Sequence, residues 1–269
     1  MLKKITGPKA VALIVIVAAI TIAAFVAVSR AQAPAQPQQP RLVVTTTQLK
    51  PDMIVTWEDL QRNELIPAQK KAGLPWRHTL GNGVSGQAFT RVTIGPLERY
   101  AQLDMPAFIT RAVSAEANAN FNAKNRQTIL SQRQAIVTFQ VNDSIVSNSA
   151  TMLPLQVVQV FHTLPGKGAE FAASLREDYL PAYKKAGVKD FWVFTTNQGD
   201  PGTVLVRPIA NYAELDKQPL LVQAGVTQDQ QAKIGARRNA TLAGAPETTV
   251  FRFIPELSYG MPGQVRSTN

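Results

Sequence analysis

Few side chains in this chain of 269 residues can do chemistry at neutral pH: two histidines, His78 and His162, five tyrosines, and no cysteine. A histidine titrates near neutrality and can serve as a general base or as a haem or metal ligand. His162 follows Val158 and Val160 at strand spacing, which predicts a partly buried face. A strand-end histidine bonded to backbone fits the same position. The lack of cysteine excludes disulfides, thiolate metal sites, a cysteine nucleophile and acylation of a lipobox-type cysteine. No His-x-x-x-His or Glu-rich ligand spacing accompanies the histidines, so neither a metal site nor a cofactor is expected. Gly83-Val84-Ser85-Gly86 misses the spacing of a nucleophile elbow, and Gly81-Asn82-Gly83 reads as a turn.

What positions these residues is a repeat. Ile66-Pro67-Ala68-Gln69-Lys70-Lys71-Ala72-Gly73 returns as Leu180-Pro181-Ala182-Tyr183-Lys184-Lys185-Ala186-Gly187, with an offset of 181 − 67 = 114. At the same offset Val43-Val44 meets Val157-Val158, Trp57 meets Phe171 and Arg62 meets Arg176. Two residues drop out after Gly83, and the offset becomes 212 − 100 = 112, where Tyr100-Ala101-Gln102-Leu103-Asp104 meets Tyr212-Ala213-Glu214-Leu215-Asp216. The chain therefore reads as an internal duplication.

Comparing the copies sorts the candidates. Tyr100/Tyr212 and Asp104/Asp216 are kept in both, as a proton-transfer pair or, more plainly, as residues that serve the fold. Residues that differ mark where one copy could specialise: His162 stands opposite Gln48, Tyr183 opposite Gln69, His78 opposite Trp192, and Trp76 opposite Asp190. His162, Tyr183 and Trp192 are the candidate catalytic set. His78, Trp76, Tyr100 and Tyr212 are candidates for ligand binding.

Each copy reads strand, helix, strand, strand, helix, strand. In the first, strands are expected over 42–49, 76–80, 88–94 and 135–141. A helix over 54–73 should be kinked at Pro67 and capped by Gly73, and a later helix should run to about Ser131. The second copy repeats this, with strands over 191–195, 203–206 and 248–254. This βαββαβ order is the ferredoxin-like split unit, an antiparallel sheet with both helices on one face. Its bare face should be covered by the other copy, sheet against sheet.

Met1 to Lys9 is cationic and Ala10 to Val28 almost wholly apolar, the pattern of a signal peptide or, if uncleaved, a membrane anchor. Residues 1–31 are therefore read as signal or anchor and 32–41 as a Pro/Gln-rich linker. Residues 42–144 form the first repeat, 145–153 a linker, 154–258 the second repeat and 259–269 a loose tail. The formal charge is +10, of which Lys3, Lys4, Lys9 and Arg30 supply four. The remaining basic residues are scattered, not set in a stripe with aromatics, which argues against nucleic-acid binding.

The order of elements, the Pro-Ala-x-Lys-Lys-Ala-Gly helix end and the Pro-led segment after the hairpin resemble the dimeric α+β barrel superfamily. Over residues 42–258 the chain resembles its antibiotic-biosynthesis-monooxygenase-like and NIPSNAP-like members. The resemblance implies a pseudo-dimeric α+β barrel within one chain. The group includes cofactor-free oxygenases and haem-degrading enzymes. Haem-binding relatives use a helix-borne histidine, whereas His78 and His162 fall on predicted strands, so that role does not carry over.

The expectation is an exported protein, periplasmic or extracellular, cleaved or held by residues 10–28. It would bind a small apolar ligand or a protein partner and act as a monomeric pseudo-dimer or a homodimer. The alternative is a cofactor-independent monooxygenase-like enzyme with its pocket in the second repeat.

Overall fold

The computed structural model describes residues 39–147 and 152–260. The predicted signal or anchor, most of the linker after it, residues 148–151 and residues 261–269 lie outside the described residues. Among those described, no helix is long and apolar enough to cross a membrane.

The strands are β1 (Arg41–Leu49), β2 (His78–Asn82), β3 (Thr90–Leu97), β4 (Ile129–Phe139), β5 (Leu155–Phe161), β6 (Trp192–Gln198), β7 (Thr203–Ile209) and β8 (Glu247–Phe253). They close into one antiparallel barrel in the order β1-β3-β2-β8-β5-β7-β6-β4. The helices are α1 (residues 54–71), α2 (Phe108–Ala112), α3 (Ala115–Thr128), α4 (residues 168–185), α5 (Leu220–Gln223) and α6 (Gln228–Asn239). The order strand, helix, strand, strand, helix, strand thus runs twice along the chain.

The halves do not meet sheet against sheet, as expected from the sequence. They meet edge to edge, β2 on β8 with Leu80 opposite Phe253, and β4 on β6 with Phe139 opposite Phe194. Closure pairs the backbone groups that each half would otherwise leave bare at its edges. The helices pack outside the barrel. Phe171, Leu175 and Leu180 of α4 bury against Phe161, Val193 and Leu205 of the strands and Phe191 just before β6, while Trp57 and Ile66 of α1 bury against Leu49. Side chains alternate along a strand, so the residues between these point into the barrel.

Pro67 and Pro181 are accommodated in the same way. Each follows a π turn, Gln61–Leu65 in α1 and Leu175–Tyr179 in α4, where Ile66 N–H reaches Gln61 O and Leu180 N–H reaches Leu175 O. A proline inside a helix has no N–H and crowds the carbonyl four residues back. Widening the preceding turn relieves that crowding and lets the helix continue. Gly73 and Gly187 then end the helices with φ of 84° and 80°, the left-handed cap expected of them.

Two elements depart from the sequence reading. The helix expected to reach Ser131 ends at Thr128, and β4 begins at Ile129. Pairing decides this: Gln132 and Gln134 donate side-chain hydrogen bonds to Thr47 and Thr45 of β1, which gives polar residues a place in a strand. The other departure concerns the segments that follow β4 and β8. Residues 141–147 and 255–260, whose ends at 145–147 and 259–260 read as linker and tail from the sequence, are straps that cross to the opposite half. Ile145 bridges to Phe191, and Ser147 bonds Asp190 at 2.6 Å. Tyr259 bridges to Arg77, and Leu257 is completely buried against α1.

Candidate functional site

Each helix–sheet cleft is crossed by a strap at the equivalent place, Tyr259 at Arg77 and Ile145 at Phe191, and the clefts differ in the side chains that line them. In the first half, Arg77 points from the β2 edge toward α1 and is 4% exposed. Its guanidinium donates to Gln61 Oε1 at 2.8 Å, to Gln69 Oε1 at 3.1 Å and to Thr79 Oγ1 at 3.4 Å. Burial without a carboxylate pushes its pKa down to about 10. The 255–260 strap closes over it, with the Tyr259 phenol pushed up to about 12 mainly by its own burial and Lys70 Nζ lying 4.9 Å from the Tyr259 ring centre. This cleft is filled.

In the second half the corresponding space is open. A cavity of about 380 Å³ lies between the outer face of β5 and β7 and helices α4, α5 and α6. Val157, Phe191 and Leu205 form its apolar wall, with Tyr179, Tyr183, Arg207 and Arg238 among the polar lining residues. Tyr179 ends the π turn of α4 and Tyr183 lies one turn on, so both rings share a face. Their rings meet edge to face at 5.9 Å, and Tyr183 meets Phe191 at 5.1 Å. Burial, followed by the neighbouring Tyr179, pushes the Tyr183 phenol up to about 12, although Arg207 and Arg238 pull the other way. Burial likewise raises Tyr179, against the pull of Arg238. Both phenols therefore stay protonated at neutral pH and act as hydrogen-bond donors. Arg238 lies 5.7 Å from the Tyr179 ring centre and 5.9 Å from that of Phe161.

Of the candidates chosen from sequence, Tyr183 lines this cavity; the others do not. His162 is an exposed strand-end residue with Nδ1 2.8 Å from the Pro201 carbonyl oxygen, not a residue of a partly buried face. Trp192 pairs with Val206 and so points into the barrel, away from the cavity behind Phe191 and Val193. His78 is 2% exposed, with Trp76 and Phe253 at ring distances of 5.1 and 5.5 Å and Nε2 3.2 Å from Gly260 O. Tyr212 packs on Leu155, Val157, Ile209 and Val250, and its hydroxyl sits so close to Gly83 that no Cβ would fit there. Tyr100 is on the surface beneath Arg41. Tyr179, Phe191 and Arg207 were missed, although the copy-to-copy contrast marks them. At the two offsets they stand against Leu65, Arg77 and Gly95.

Burial first lowers the pKa of His78, and a hydrogen bond to the Gly260 carbonyl opposes the shift. The folded value thus lies below the unfolded value of about 6.5. On acidification the unfolded chain takes up the proton first, so stability falls as pH drops from about 6.5 toward the folded value. Urea unfolding at pH 7.5 and pH 5.5 should show that loss, and His78→Gln should show less of it.

The cavity lining contains no histidine, cysteine, methionine, aspartate or glutamate. Its only side chains able to ligate haem iron are the two phenols, both held protonated, so these residues do not fit a haem. Among the described residues no cluster of three or more histidines or carboxylates could hold a metal ion. A general base is missing from the lining for the same reason.

No family model and no curated protein matches the chain. Solved structures do. A candidate monooxygenase from Fusobacterium nucleatum subsp. nucleatum aligns with a TM-score of 0.54 and 12% identity over 81% of this chain and 94% of that one. A candidate monooxygenase from Lactobacillus acidophilus aligns at 0.51 and 9% identity over 80% and 94%. An anthrone oxidase-like protein aligns at 0.51 and 11% identity over 81% and 92%. The likeness is one of fold. The chain is a mixed α+β protein with an eight-stranded antiparallel barrel, similar to dimeric α+β barrel proteins.

Proposed function

We propose that this protein binds a small, largely apolar molecule in the cavity of its second half and does so without catalysing a reaction. The cavity carries the reading: about 380 Å³, walled by aromatic and aliphatic side chains and supplied with hydrogen-bond donors. The enzyme reading draws on the fold neighbours named as candidate monooxygenases. A cofactor-independent oxygenase must first draw a proton from its substrate, and that step needs a base. The lining offers guanidinium groups, amides and protonated phenols instead. Binding therefore stands ahead of turnover.

The proposal includes the origin and address of the chain. Two ferredoxin-like units, 42–144 and 154–258, descend from one duplicated unit. Support comes from the π turns, whose first residues differ by 175 − 61 = 114, the same offset as the prolines behind them. The barrel closes within one chain, which favours a monomeric pseudo-dimer. Export to the cell envelope, with residues 1–31 as signal or anchor, is supported by the cationic start and the apolar run over 10–28.

Native mass spectrometry of the full chain, purified from its own organism, tests the binding reading. A co-purifying small molecule that is lost from a cavity-filling variant is the expected result. Repeated isolation of the bare chain, together with no binding of added apolar probes, would sink it.

A further inference from the structure

Resting on the small-molecule reading above, we infer that the ligand carries a single carboxylate held at Arg207, with its apolar body against Val157, Phe191 and Leu205. The charges around the cavity do not balance. Several arginines here find an acid: Arg91 reaches Glu58 at 2.8 Å, and Arg176 reaches Asp143 at 2.8 Å. On α6, Arg237 turns to Glu177 at 2.6 Å and Asp178 at 3.0 Å, two of the three acids of α4. Arg238, beside it, faces the cavity and is shared among Asn239 Oδ1 at 3.0 Å and the rings of Phe161 and Tyr179. Arg207 has no ion pair and no side-chain hydrogen bond among the described residues, although it is only partly exposed and opens onto the cavity.

A half-buried cation in apolar surroundings is costly until an anion meets it. A guanidinium pairs with a carboxylate through two parallel N–H bonds. Arg238 has no carboxylate either, but two ring faces and an amide oxygen hold it in place, which leaves Arg207 as the guanidinium able to turn its planar fork to a ligand carboxylate. The protonated hydroxyls of Tyr179 and Tyr183 add donors on the same side, and no carboxylate of the lining competes. The closed first cleft lacks the arrangement, since Gly95 stands 207 − 95 = 112 residues before Arg207.

The test is calorimetric titration of the full-length protein with 2-naphthoate, its neutral isostere 2-naphthamide, and 2-naphthyl phosphate at pH 7.5. The naphthoate should bind at least tenfold more tightly than the amide. Arg207→Gln should remove most of that preference, weakening naphthoate at least tenfold more than it weakens the amide, and Arg207→Lys should keep part of it. Equal binding of acid and amide, or a clear preference for the phosphate, overturns the carboxylate and leaves the cavity reading standing. If none of the three binds, or if all three bind a variant with the cavity filled as well as they bind the native chain, the cavity reading falls too.

Discussion

Gly235→Leu is expected to abolish ligand binding, by more than a hundredfold in affinity, while making the protein more stable. Gly235 lies in the interior of α6 and lines the cavity. A Cβ built there meets no heavy atom within 4 Å, so the added carbons enter open space before they reach the opposite wall. Its backbone is helical, and a glycine inside a helix is worth about 0.5–1 kcal/mol less than a good helix former. Filling the space where the ligand sits removes its contacts outright. Few single changes should raise the melting temperature and erase function together, and thermal unfolding with titration on the same sample checks both. A variant that is stabilised yet still binds its ligand would move the site elsewhere.

Phe171→Ala should cost about 3–5 kcal/mol, the range for deleting a buried aromatic side chain. Phe171 is 1% exposed and its ring lies 5.2 Å from that of Phe161, at the centre of the cluster that joins α4 to β5, β6 and β7. The same cluster holds Tyr179 and Phe191, so the floor of the cavity and the core of the second half are one packing unit. Urea unfolding should show the loss, and ligand binding should weaken with it even though Phe171 does not line the cavity. Phe171→Leu, which keeps most of the volume, should lose far less.

The element order was legible because two stretches of the chain carry the same punctuation. The prolines at 67 and 181, the glycines at 73 and 187 and the alternating strands mark the element order. The edge-to-edge closure was not legible. Which strand edge meets which is set by register between distant segments, and Leu80 gives no local sign that Phe253 will lie opposite. The straps were misread for a related reason: Ser147 looks like a linker residue and Tyr259 like a tail residue until their partners Asp190 and Arg77 are placed.

The lining of the candidate cavity was half legible. Tyr183 was found by contrast with Gln69, and the same contrast, carried to every position, would have added Tyr179, Phe191 and Arg207. His162 drew attention for its chemistry alone, yet its bond to the Pro201 carbonyl is the ordinary fate of a strand-end histidine. Arg238 was hidden by a different rule. Its counterpart at the offset of 238 − 126 = 112 is Arg126, so comparison of copies assigns it to the fold. The halves differ in what surrounds that arginine, and sequence does not display surroundings.

The central claim is that the second-half cavity is where a ligand sits, and the five tyrosines provide an internal test. Tyr179 and Tyr183 line the cavity; Tyr100, Tyr212 and Tyr259 lie elsewhere. The measurement is the NMR spectrum of the full-length protein with ring-labelled tyrosine, followed during titration with 2-naphthoate. The account predicts that the signals of Tyr179 and Tyr183 move in a saturable way while the other three stay in place. Saturable shifts at Tyr100, Tyr212 or Tyr259, with Tyr179 and Tyr183 unmoved, would contradict it.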